Sequence, residues 1–158
     1  MMDKNVLGEP LQVCCLKPMT GYFRDGLCRT NFNDTGTHTV CAIMNNEFLE
    51  FSASKGNDLI TPISFYQFSG LKEGDKWCLC VKRWIEAEKV GKAPKLILEA
   101  THEKTLEYIS LKKILKYAAR WMNKFSYLKN KPHSTEKIFS KWQIFFYIYF
   151  EKFNKWKN

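Results

Sequence analysis

Apolar and polar positions along the chain fall into short strand-like runs and a few helical stripes. His38 to Met44 (HTVCAIM) is apolar and rich in β-branched residues, which predicts a strand. Lys76 to Val81 (KWCLCV) alternates, so Trp77, Leu79 and Val81 share one face and Cys78 and Cys80 the other. Leu11 to Cys14, Ile63 to Phe68, Leu96 to Ala100 and Thr105 to Ile109 are further strand candidates. Asn45 is placed to cap a helix that ends before Gly56, with Phe48, Leu49, Ser52 and Ala53 inward. Arg83 to Val90 predicts a second helix, closed by Gly91 and Pro94. Ser110 starts a third, with Leu111, Ile114, Leu115 and Ala118 on one face. Gly70 to Asp75 reads as a turn. Two polar stretches have no period: residues 16–37, and residues 56–62 (GNDLITP). A loop as long as the first is usually functional or mobile. Helices interspersed with short strands predict an α+β fold, a single compact domain with a short mixed or antiparallel sheet and about three helices; α/β is the alternative.

Composition divides the chain near Ala119. All 8 Gly and all 6 Cys precede it. The net charge of +9 is also uneven. Residues 120–158 hold 9 Lys and Arg against 2 Asp and Glu, whereas residues 1–119 hold 16 against 14. A body is therefore expected at 5–119 and a basic, aromatic-rich extension at 120–158. The body is too nearly neutral to expect nucleic-acid binding from it. The extension has no clean helical or alternating period and is biased to Phe, Tyr, Met, Ile, Asn and Lys. Read-through into AT-rich sequence or a lineage-specific addition is its plainer reading. A membrane or nucleic-acid anchor is the sharper one. MMDKNVLGEP carries no apolar run, and the longest apolar stretch, Ile144 to Phe150, is too short to span a bilayer. No transmembrane segment and a cytoplasmic location are expected. In a reducing compartment the Cys are expected as thiols, metal ligands or redox groups rather than structural disulfides.

NVLGEPLQVC, TGYFRDGLCRT, DTGTHTVCAIM, FLEFSASKGNDLITP, GLKEGDKWCLC, APKLILEATHEKTLEYISL and KKILKYAA occur in that order. On these motifs, over roughly residues 5–119, the chain resembles a small, mostly bacterial family known as domain of unknown function 2237. The resemblance implies an intracellular single domain and no particular activity. It singles out Cys14, Cys28, Cys41, Cys78 and Cys80, because Cys15 stands where a Ser is usual.

Candidate chemistry concentrates in Thr20 to Cys41, TGYFRDGLCRTNFNDTGTHTVC. Cys28 lies beside Arg29 and near Arg24 and Asp25, a setting that favours a thiolate. His38 as base and Asp34 as its orienting carboxylate would complete a nucleophilic site. Arg24, Asp25, Asn57 and Asp58 are ligand-binding candidates, with Arg24 suited to a carboxylate or phosphate. Their plainer reading is turn chemistry next to Gly26 and Gly56. Cys14, Cys28, Cys41, Cys78 and Cys80 are metal-ligand candidates for zinc or iron, although no Cys-x-x-Cys is present. Strand parity sets Cys78 and Cys80 on one side and opposes His38 to Cys41. Burial as small hydrophobes is the alternative for these Cys. His102 fits a helix start or strand exit. GxGxxG, GxxxxGK[ST] and GxSxG are absent. The leading functional reading is binding of a small molecule or partner through loops 20–38 and 56–62. The alternatives are a thiol- or metal-dependent enzyme using Cys28, His38 and Cys41, and association through the basic tail.

Overall fold

The computed structural model describes residues 3–66 and 68–119, so the expectations about the 120–158 extension lie outside the described residues. Among the described residues the fold is α+β: three α-helices and a three-stranded antiparallel sheet. In chain order the elements are β1 (Val40–Ile43), α1 (Asn46–Ser54), β2 (Lys76–Leu79), α2 (Val81–Lys89), β3 (Lys95–Leu96) and α3 (Leu111–Leu115). β1 is central, with strand order β2-β1-β3. Among the described residues no helix is long and apolar enough to cross a membrane.

The register explains why both faces of so small a sheet are buried. Val40 pairs with Leu79, Cys41 with Cys78, and Ala42 with Trp77. Side chains alternate across a strand. Val40, Ala42, Trp77 and Leu79 therefore join the main core, where Phe48 and Leu49 of α1 and Val81, Trp84 and Ala87 of α2 meet them. Cys41 and Cys78 join a second, smaller cluster with Cys14, Cys28 and Ala100. The helices belong to the apolar core, and the long N-terminal segment supplies Cys14 and Cys28 to the other cluster.

α1 starts where its cap predicts, with the Asn45 side chain accepting from the Phe48 N–H at 2.9 Å. Its end is set by Gly56, whose φ of +76° lies in the left-handed region that favours glycine. α2 begins two residues before the expected Arg83, because β2 stops at Leu79 and the chain turns at Cys80. Trp84 anchors α2, fully buried and donating from Nε1 to the Pro94 carbonyl at 3.1 Å.

Several expected strands are not strands. Leu11 to Cys14 joins no strand, and its amides go to separate carbonyls, Gln12 N–H to Glu99 and Cys14 N–H to Gly26. Ile63 to Phe68 closes on itself around a 3-10 turn at Ser64–Tyr66, leaving one bridge between Ile63 and Phe68. Leu96 to Ala100 keeps only Leu96 in β3 before a 3-10 turn at Leu98–Ala100. Thr105 to Ile109 falls mostly in a 3-10 turn at Glu103–Glu107. In that last case polar side chains override the β-branched pattern. His102 Nδ1 accepts from the Lys104 N–H at 3.0 Å, and the buried Thr105 hydroxyl donates to Thr39 Oγ1 at 2.9 Å. His102 thus caps the start of this turn, in keeping with the helix start expected there.

The expectation of free thiols is overturned for four of the six Cys. Cys14 is joined to Cys41, and Cys28 to Cys78. The register sets Cys41 and Cys78 opposite each other, and the loop carries Cys14 and Cys28 over that face. The resulting Cα separations of 5.7 and 5.2 Å lie in the bonding range. Only Cys15 and Cys80 remain free.

Candidate functional site

At the end of the sheet where β1 begins and β2 ends, three side chains form a line. Cys80 Sγ lies 3.1 Å from His38 Nε2, and His38 Nδ1 lies 2.6 Å from Asp34 Oδ1. Asp34 is buried; the His38 ring is about one-third exposed, at 33%, and Cys80 is half-buried. The three come from two places in the chain. Asp34 and His38 close the polar loop, and Cys80 caps the N-terminus of α2 with no side-chain bond into the helix.

The loop geometry aims the ring. Asp34 Oδ2 accepts from the Thr30 hydroxyl and from the His38 backbone N–H, both at 2.8 Å, leaving Oδ1 for the ring. Thr37 adopts a φ of +52°, uncommon for a β-branched residue. Its carbonyl accepts from the N–H of Val81 at 3.0 Å, which ties the loop to the first turn of α2. Gly36 is required by close approach: a Cβ there would sit 2.6 Å from His38 Cε1 and 2.8 Å from Cys80 Sγ. Tyr22 stacks beside the ring at 6.2 Å between centroids.

These contacts fix the protons. An ionised carboxylate only accepts, so Nδ1 carries a hydrogen toward Asp34 and Nε2 faces the sulfur. Burial alone would raise the Asp34 carboxyl, but hydrogen bonds from His38 and Thr30 hold it below the usual carboxylate range. The hydrogen bond to Cys80 pushes His38 up to about 9; burial opposes this, and the charges and hydrogen bond of its neighbours add to it.

The other expected residues are placed as follows. Cys28 is fully buried and bonded to Cys78, so the sulfur that meets His38 is that of Cys80. Its polar neighbours satisfy one another instead: Arg29 Nε donates to Asp25 Oδ2 at 2.6 Å, and Asp25 Oδ1 accepts from the Leu27 N–H. Arg24 donates to the Met19 carbonyl and lies over the Trp77 ring at 5.2 Å. Asn57 ties its loop to α1, and Asp58 builds the turn that follows. Asn57 Nδ2 donates to Ser52 Oγ, and Asp58 Oδ1 accepts from the N–H groups of Ile60 and Thr61. An open depression at the other end of β1, lined by Met44, Asn45, Glu73 and Lys95 among others, includes none of these four candidates. Cys41 is buried and bonded to Cys14, so it and His38 serve different sites.

Cys80 was the residue that the sequence pattern hid. A strand running to Val81 groups it with Cys78. The signal that could have separated them is VKRWIEAEK, an amphipathic stretch starting immediately after Cys80, which ends the strand and makes Cys80 a helix cap.

A comparison with curated proteins finds no match. The model of a family described as an uncharacterized protein conserved in bacteria (DUF2237) matches residues 4–118, well over half of the chain, and the chain belongs to that family.

Proposed function

We propose that the domain is a thiol-dependent enzyme in which Cys80 is the nucleophile, His38 moves the proton and Asp34 holds His38. The observation that carries this reading is the continuous contact from the Asp34 carboxylate through the His38 ring to the Cys80 sulfur, at 2.6 and 3.1 Å. The reaction class it suits is acyl transfer. The Cys80 sulfur adds to the carbonyl carbon of an ester, thioester or amide, and the His38 Nε2 proton goes to the leaving group as its bond to carbon breaks. Water then attacks the resulting thioester, giving a proton to His38 and releasing the acid and the Cys80 sulfur. The N-terminal end of α2 beside Cys80 favours the negative charge that develops. Tyr22 and Phe23, both exposed on the same loop, offer an apolar wall to the substrate.

Binding of a small molecule through loop 20–38 belongs within this reading as the substrate step. Binding through loop 56–62 has less support, because Asn57 is bonded to Ser52 of α1 and Asp58 to the amides of its own turn. A cytoplasmic location also fits, since the reducing pool there keeps a thiol such as Cys80 free. The experiment is to incubate the chain with a panel of activated acyl esters and thioesters and to map adducts by peptide mass. An acyl group on Cys80, absent after Cys80→Ala, is expected. No adduct at Cys80, or labelling confined to Cys15, contradicts the proposal.

A further inference from the structure

The second cluster of the fold holds chemistry that the Cys80 site does not use. Cys14, Cys28, Cys41 and Cys78 are 4%, 0%, 0% and 1% exposed. The sulfurs of Cys14, Cys28 and Cys78 all lie within 4.8 Å of one another, although Cys14 and Cys78 belong to different disulfides. Cys41, the fourth, is bonded to Cys14 and sits directly across the sheet from Cys78. Three buried sulfurs thus gather in one place and the fourth is bonded to one of them, two from the paired strands and two from the long loop.

A tetrahedral zinc–thiolate site has Zn–S distances of about 2.3 Å, which places its sulfurs roughly 3.8 Å apart. Three of the four sulfurs lie within 4.8 Å of one another in the disulfide-bonded state, so a shift of about an ångström brings them to that spacing. Opening the disulfides frees each sulfur to turn toward a common centre, with β1 and β2 holding two ligands in register. The loop also needs a tie in either state, because residues 11–37 contain no helix or strand of their own. In a reducing compartment disulfide ties are lost, and a metal is the other cross-link these four residues can make.

We propose that, when reduced, Cys14, Cys28, Cys41 and Cys78 bind one zinc ion as a closed four-thiolate site, and that oxidation exchanges the ion for the two disulfides. The exchange balances with a small-molecule disulfide as oxidant. Two such molecules take two electrons each from the four zinc-bound thiolates, two protein S–S bonds form, four small thiolates are released, and the zinc ion leaves. In reverse, two dithiol molecules supply four electrons and four protons, and zinc displaces the four thiol protons as it binds. The site is separate from Cys80, and its failure would leave the acyl-transfer proposal standing.

The test uses the whole 158-residue chain, purified anaerobically under reductant without a polyhistidine tag and supplied with Zn²⁺ or Co²⁺ alone. About one equivalent of zinc per reduced, folded chain is expected, and cobalt should show the charge-transfer absorption of a tetrathiolate site. Oxidised glutathione should release the zinc while both disulfides form. Cys78→Ser and Cys41→Ser should each fall below about a tenth of an equivalent, and Cys15→Ser and Cys80→Ala should keep the full amount. If the ligand variants do not fold, the zinc content of the reduced natural chain decides alone. A reduced chain that stays folded yet holds less than about a tenth of an equivalent overturns the proposal. So does a chain whose disulfides open only on unfolding, or one in which Cys80→Ala removes the metal.

Discussion

Cys78 and Cys80 are two residues apart and lie in opposite chemical worlds. Cys78 sits inside the sheet, 1% exposed, among three other sulfurs with Ala100 and Ile97. Cys80 sits where the strand has ended, half-buried, against an imidazole that is itself held by a carboxylate. The first environment offers a sulfur only apolar side chains and other sulfurs, so bonding to those sulfurs is what it can do. The second offers a proton carrier and an opening to solvent, so it suits reaction with something outside. Residue type is the same in both; the end of β2 makes the difference. Above it the strand ladder holds the backbone. At Cys80 the ladder stops and the helix begins.

The comparison can be tested from its largest expected effects downward. Replacing both Cys28 and Cys78 by Ala removes a cross-link spanning 50 residues. That should destabilise the oxidised protein by about 4 kcal/mol in denaturant unfolding. If the double variant is as stable as the parent, this pair is not a tie. Asp34→Asn should lower thiol-dependent turnover about a hundredfold with little change in fold, because a neutral amide can no longer hold the ring proton on Nδ1. Equal turnover would show that Asp34 only shapes its loop.

The pH response is smaller and has a definite sign. His38 is raised from an ordinary 6.5 to about 9, so folding favours its protonated form. The stability it contributes is fully present below pH about 6.5 and is lost as pH rises toward 9. The melting temperature should fall across that window, and His38→Gln should flatten the fall. A melting temperature that rises with pH there would contradict the pairing of His38 with Cys80.

Much of this was legible in the residues. The α+β class, the cap at Asn45 and the two faces of KWCL follow from periodicity and capping chemistry, and the sequence matches Asp34 to His38 as a carboxylate that could orient a base, although with Cys28 rather than Cys80 as its sulfur. What was not legible depended on distance in space. Cys28 looked reactive because Arg24, Asp25 and Arg29 surround it in the sequence. In the fold those charges lie outward while the thiol turns in to Cys78. The convergence of Cys14, Cys28, Cys41 and Cys78 depends on how a segment without regular structure crosses one face of the sheet, and no spacing rule encodes that. Thr105 to Ile109 reads as a strand by propensity, yet the hydroxyl of Thr105 and the imidazole of His102 draw it into a turn. Short elements are where side-chain hydrogen bonds outweigh propensity.

The most direct measurement is the rate at which iodoacetamide modifies each free Cys at pH 7, followed by peptide mapping in the parent chain and in His38→Ala. Cys80 should react faster than Cys15 in the parent and slow about tenfold in the variant, while Cys15 is unaffected. A Cys80 that reacts no faster than Cys15, and at the same rate with or without His38, would contradict its assignment as the nucleophile.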